Sequence, residues 1–202
     1  MQLIGMLDSP YVRRVAISFH LLGLPFEHRS ISVFSTFTQF QQINPVVKAP
    51  SLVCDDGTVL MDSTLILQYA EGIASRSLVP AARAQALHDL RLTGLALAAC
   101  EKTVQIVYEN ELRPAEKRHT PWLERVQGQL AAAYAALEAE LMRQPLEARA
   151  EALTQGGVGS AVAWQFTQML LPGQVPVAAH PALQAFSEQA EQLEAFRAAP
   201  PR

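Results

Sequence analysis

The chain has 202 residues, half of them hydrophobic and 17% charged, which is enough apolar material for a substantial core in one domain or two small ones. A net charge of −3 with no long basic block argues against nucleic acid or an anionic membrane as the main partner. Asp8, Pro10, Arg13 and Arg14 break up any N-terminal stretch that would serve as a signal segment or cross a membrane. Cys54 and Cys100 form no Cys-x-x-Cys pair and the five histidines are scattered; no metal site is expected, and a reducing compartment, the cytoplasm, fits.

In chain order, Gln2 to Met6 reads as a strand and Asp8-Ser9-Pro10 as a helix start with proline in the first turn. Val12, Val15, Ala16, Phe19 and Leu22 mark one apolar helix face, with Arg13 and Arg14 off it, and Gly23 closes the helix before Pro25. Phe26 to Ile31 is a second strand and Phe34 to Ile43 a weaker helix. Ser51 to Cys54 and Thr58 to Leu60, joined by Asp55-Asp56-Gly57, form a hairpin. Asp62-Ser63 opens a helix with Ile66, Tyr69, Ala70 and Ile73 on its apolar face. The order βαβαββα predicts a mixed four-stranded sheet, because a strand-helix-strand crossover gives a parallel pair and a hairpin an antiparallel one.

The most informative stretch is Asn44-Pro45-Val46-Val47-Lys48-Ala49-Pro50-Ser51-Leu52, followed by Asp62-Ser63. Pro50 lacks an N–H and suits the first position of a strand, which leaves the backbone of Ala49 able to pair with an extended peptide-like ligand. Ser63, the amides of a helix start and the helix dipole suit a carboxylate, and Asp62 suits an ammonium group. Taken singly, an Ala-Pro turn is a strand entry and Asp-Ser a helix cap; their ordered combination resembles the glutathione transferase family over essentially the whole chain. The family's usual glycine is Val47 here.

That resemblance implies a thioredoxin-like first domain (residues 1–75), a cis Pro50 and a homodimer. Ala49 and Pro50 would align the cysteinyl backbone of glutathione, Asp62 and Ser63 grip its γ-glutamyl head, and Lys48 assist at the glycyl carboxylate. Ser9, in Ser-Pro-Tyr-Val-Arg-Arg, resembles the active serine of bacterial and theta-like members. From Ser-Pro alone the residue is an N-cap; by resemblance its hydroxyl holds the glutathione thiol as a thiolate. Lowering a thiol pKa of about 8.5 by two units takes about 2.7 kcal/mol. A hydrogen bond to a charged group contributes about 1.5–3 kcal/mol and a helix N-terminus about 0.3–1 kcal/mol, so the hydroxyl is the larger effect. Tyr11 is the competing hydroxyl. Conjugation of the thiolate to a small hydrophobic electrophile is the expected reaction; the alternatives are a glutathione-dependent isomerisation or dehalogenation, or a non-catalytic interaction module.

Residues 76–82 read as a linker, and 83–202 as an all-helical domain. A long helix spans about Arg83 to Glu111. Thr120-Pro121 starts another, with Trp122, Val126, Leu130, Ala133, Leu137 and Leu141 as its stripe, and Val158 to Leu171 forms a third. Before it, Thr154 would cap, but Gly157 stands where the family places the acidic partner of a capping box. Leu183, Phe186, Leu193 and Phe196 are available to pack short terminal helices. The resemblance places the second substrate between the domains, near Ser9, the loop around Phe34 and the long helix; Tyr108 and Trp164 are wall candidates, but the simpler role for both is as core aromatics, and neither is counted as a site residue.

Overall fold

The computed structural model describes residues 1–201 and divides into two compact units. Among the described residues, the first comprises 1–80 together with 192–201; the second is Ala81–Glu191. The fold is thioredoxin-like in the first unit and all-helical in the second.

In the first unit the elements are β1 (Gln2–Ile4), α1 (Pro10–Leu22), β2 (Glu27–Arg29), α2 (Phe37–Ile43), β3 (Ser51–Val53), β4 (Val59–Met61) and α3 (Ser63–Ile73). The sheet order is β2-β1-β3-β4, with β1 parallel to β2 and antiparallel to β3, and β3 antiparallel to β4. This is the mixed sheet that a crossover followed by a hairpin demands. The hairpin is closed by Cys54 N–H donating to the Thr58 carbonyl at 2.8 Å and by the Asp56 carboxylate accepting from Thr58 N–H at 2.9 Å. Leu3, Ile4 and Leu52 of the sheet are fully buried, as are Val12, Val15 and Phe19 of α1.

The expectation for α3 is corrected, and the two arginines off the apolar face of α1 are buried. Arg13 and Arg14 do not lie on an open face; they are 2% and 4% exposed. Helix α1 is covered on nearly every side, and Arg13 meets α8 (Glu194–Arg197) and the residues after it. Its Nε donates to the Ala199 carbonyl at 2.8 Å and its guanidinium lies 5.7 Å from the Phe196 ring centroid. These contacts explain why the terminal segment belongs to the first unit, where the sequence placed it with the helices of 83–202. In α3, Ser63, Ile66, Leu67 and Ala70 form the buried stripe. Tyr69 and Ile73 fall outside it and, with Leu65, line the exposed side of the same helix, because apolar residues at 65, 69 and 73 repeat every four positions and form a second face.

The second unit contains α4 (Arg83–Glu111), α5 (Thr120–Arg143), α6 (Gln155–Leu170) and α7 (Pro181–Glu191). Helix α4 packs against both α5 and α6. Val126, Leu130, Leu137 and Leu141 are buried in α5 as the spacing predicts, but Trp122, in the first turn, is exposed. Helix α6 begins three residues earlier than expected, with Thr154 as its N-cap accepting from Gly157 N–H at 3.2 Å. The missing acid of the capping box is replaced from another helix. Buried Asp89 of α4 accepts the Gly156 N–H at 2.8 Å, so a carboxylate still meets the positive end of α6. Glu138 of α5 does the same for α7, accepting from the amides of Ala182 and Leu183 at 2.8 and 2.9 Å.

Glu140 is a further link between helices. Its carboxylate accepts from Arg91 of α4 at 2.6 Å and from Arg143 of α5, and His88 Nε2 lies 3.3 Å away. Hydrogen bonds from Arg143 and then Arg91 lower its pKa to about 2. A carboxylate with a depressed folded-state pKa stabilises the fold fully above its unfolded value of about 4.3. That contribution fades as pH falls from there through about 2. The difference in urea-unfolding free energy between the wild type and Glu140→Gln is therefore expected to be largest near neutral pH and to shrink steadily between pH 5 and pH 3.

Candidate functional site

The register of the sheet places the predicted residues at one end. Arg29, Ile4, Ser51 and Met61 form a single row across all four strands, since Ile4 pairs with Arg29 and Ser51, and Ser51 with Met61. Immediately beyond that row lie Gly5 to Ser9 after β1, Ala49-Pro50 before β3, and Asp62-Ser63 after β4. The close approach of these loops is visible at Gly5, which has φ +140°: a Cβ there would lie 2.6 Å from Val12 Cγ2 and 3.3 Å from Ala49 Cβ. Only glycine fits that backbone and that space.

Ser9 is the N-cap residue of α1 by position, yet its side chain makes no capping hydrogen bond. Its backbone is fully used, the N–H donating to the Met6 carbonyl at 3.2 Å and the carbonyl accepting from Arg13 N–H at 2.9 Å. The hydroxyl, half-buried, forms no hydrogen bond to any described residue and stands at the positive end of a thirteen-residue helix. Capping is thus not what the Ser9 side chain does.

The Ala49-Pro50 peptide bond is cis, as the resemblance implies. Asn44 organises the turn that precedes it, although its motif gave no hint of that role. Buried Asn44 donates through Nδ2 to Ser51 Oγ at 2.8 Å and accepts Val46 N–H through Oδ1 at 3.0 Å; Ser51 Oγ in turn donates to the Lys48 carbonyl at 2.8 Å. Val47 sits in this turn at φ +53°, a left-handed conformation that a β-branched residue rarely adopts and that costs about 1–3 kcal/mol. Its side chain packs against the cluster of Ile4, Ile31 and Phe40, which offsets the strain. Val47→Gly, which removes both effects, is expected to leave unfolding free energy within about 1 kcal/mol of wild type. Val47→Ala keeps the strain and loses about 1 kcal/mol or more of packing. Urea melts of the three proteins check the order.

Asp62 also has positive φ, +73°. It caps α3, its Oδ1 accepting from Thr64 N–H at 2.9 Å, while Oδ2 lies 3.7 Å from Lys48 Nζ in an ion pair whose side chains are about half exposed. Ser63 is almost wholly covered, and Arg14 of α1 donates from Nη1 to its hydroxyl at 3.2 Å and to that of Thr64 at 3.4 Å. Arg14 therefore ties the helix that bears Ser9 to the helix start that bears Asp62 and Ser63. Its place between Arg13 and Val15 in the sequence carried no sign of this, because the partner lies 49 residues away. Of the wall candidates, Trp164 is a core residue of the second unit, 1% exposed, with its indole N–H donating to Gln184 at 2.6 Å and its ring edge-on to Tyr134. Tyr108 is 44% exposed. Cys54 is buried, its thiol pKa raised by desolvation, as suits a core residue.

Residues 3–77 match the family model of the glutathione S-transferase N-terminal domain. The chain is 28% identical to a glutathione transferase family member from Pseudomonas fluorescens Pf-5, crystallised with bound glutathione; the superposition covers 100% of this chain and 98% of that one with a TM-score of 0.86. Residues 3–77 are thus similar to a glutathione S-transferase N-terminal domain, and the fold of the whole chain to that of a glutathione transferase family member. Among curated relatives, it is 26% identical to the uncharacterized GST-like protein YibF of Escherichia coli (strain K12) over 86% of both chains. It is 35% identical to glutathione S-transferase U4 of Arabidopsis thaliana over 72 residues, which span 36% of this chain and 32% of that relative. Within the described residues, no helix is long and apolar enough to cross a membrane.

Proposed function

We propose that the chain is a serine-type glutathione transferase that joins the glutathione sulfur to a small hydrophobic electrophile. The observation that carries this reading is the Ser9 hydroxyl, uncommitted at the N-terminus of α1 and at the same end of the sheet as Ala49, Pro50 and Asp62. The backbone of Ala49 aligns the cysteinyl residue in the manner of an added strand. Asp62 takes the γ-glutamyl ammonium, the start of α3 with Ser63 takes its carboxylate, and Lys48, released from its exposed pair with Asp62, turns to the glycyl carboxylate. Ser9 donates its proton in a hydrogen bond to the thiolate, which the α1 dipole also favours. The thiolate then attacks an electrophilic carbon: a carbon–sulfur bond forms from the sulfur lone pair, and the electron pair displaced leaves with a leaving group or is protonated by solvent. Ser9 is a donor throughout and never a nucleophile.

The exposed apolar stripe of Leu65, Tyr69 and Ile73 on α3, beside Val59 and Met61 of β4, supports a homodimer that covers this face, and the two buried free thiols support a reducing, cytoplasmic setting. Calorimetric titration with glutathione, combined with the ultraviolet thiolate band followed against pH, tests the reading. Saturable binding with a thiolate pKa well below 8.5, and turnover of an activated aryl halide, is expected. Binding with an unshifted pKa would identify a glutathione-binding protein without this chemistry, and no binding would defeat the assignment.

A further inference from the structure

Arg14 belongs to α1, yet its guanidinium lies under the first turn of α3. The residue is 4% exposed, and one nitrogen, Nη1, donates to both hydroxyls of the Ser63-Thr64 pair, at 3.2 and 3.4 Å. A serine or threonine hydroxyl has one proton to give and two lone pairs to accept with. Once a lone pair is occupied by Arg14, the hydroxyl proton is turned away from the guanidinium, and no described residue takes either proton in a hydrogen bond. The Thr64 N–H is already committed to Asp62, so the hydroxyls are the donors whose direction remains to be set. The positive charge of Arg14 and the positive end of α3 have the same sign and lie together, and both favour an anion at this turn.

We propose that Arg14 is a positioning residue for the γ-glutamyl carboxylate of glutathione: through Ser63 and Thr64 it fixes two hydroxyl protons toward that carboxylate and adds its charge beneath them. The proposal rests on the glutathione-binding reading above. It assigns to α1 two tasks, thiolate stabilisation at its N-cap residue and carboxylate positioning more than a turn later.

The test compares three ligands by calorimetry on the full chain: glutathione, its glutaryl analogue lacking the γ-glutamyl ammonium, and its 4-aminobutanoyl analogue lacking the α-carboxylate. Arg14→Gln is expected to weaken glutathione and the glutaryl analogue about tenfold or more, as for loss of about 1.4 kcal/mol of charge-assisted hydrogen bonding. The 4-aminobutanoyl analogue should bind wild type and variant alike, and Arg14→Lys should recover part of the loss. An equal loss for all three ligands, or no loss for any, overturns the proposal while leaving glutathione binding intact. If Arg14→Gln does not fold, the Ser63→Ala and Thr64→Val pair, which keeps the arginine, must show the same dependence on the carboxylate; a uniform loss or none there overturns it equally. Failure of the wild type to bind glutathione defeats the functional reading itself.

Discussion

Gly156→Ala is expected to destabilise the protein by about 3 kcal/mol and to lower its melting temperature by about 6–12 °C. Helix propensity alone points the other way, since alanine gains about 1 kcal/mol over glycine inside a helix. Packing decides. A Cβ at this position would stand 2.7 Å from the Asp89 carbonyl oxygen, 2.7 Å from the Asp89 carboxylate and 2.8 Å from Leu92 Cβ, so α4 and α6 must move apart. Overpacking of this kind costs about 1–3 kcal/mol. The same movement breaks the hydrogen bond from Gly156 N–H to the buried Asp89 carboxylate, a charge-assisted contact of about 1.5–3 kcal/mol. Gly128→Ala in α5, where nothing lies within 4 Å of the added carbon, serves as the control and should stabilise by about 0.5–1 kcal/mol. Thermal melts that rank the two variants together would refute the close-contact account.

Ser9→Ala is expected to raise the pKa of bound glutathione by about one to two units, as for loss of one hydrogen bond to a charged sulfur, and so to lower the thiolate fraction, and with it conjugation at pH 7, about three- to twenty-fivefold. Binding of glutathione itself should change little, because Ala49, Asp62 and Ser63 remain. Stability should also change little. An N-cap serine replaced by alanine ordinarily costs about 1 kcal/mol, but the Ser9 side chain makes no capping bond, so the loss is expected to stay below about 0.5 kcal/mol. Tyr11→Phe provides the comparison: a thiolate pKa that rises in that variant and not in Ser9→Ala would transfer the role to the tyrosine.

Local pattern made much of the fold legible. The strand and helix order of the first unit, the span of α4 and the buried stripe of α5 follow from periodicity and from the glycine and proline positions that end elements. The residues at the end of the sheet were legible as an ordered motif, and the register brings their backbones to one end. What periodicity did not carry are relations between distant residues. Arg13 and Arg14 look like solvent-facing charges in a helical wheel; their partners, Ala199 and Ser63, lie far along the chain. The acid that completes the start of α6 comes from α4 and not from the three-residue window that a capping box occupies. Val47 shows the converse. Its position was marked by the absent glycine, but only backbone torsion shows that valine adopts the left-handed conformation that glycine would hold at no cost.

The Arg13–Ala199 contact joins residues 186 positions apart. During synthesis, α1 leaves the ribosome well before the residues that cover it, and the whole of the second unit is made in between. The unit that carries Ser9 therefore reaches its final form late, after its helical companion has been translated, and a nascent chain halted before Phe196 presents α1 with a buried-type arginine and the hydrophobic surface around it uncovered. Stop codons that remove only this short terminal segment would therefore act on the earliest-made helix of the protein.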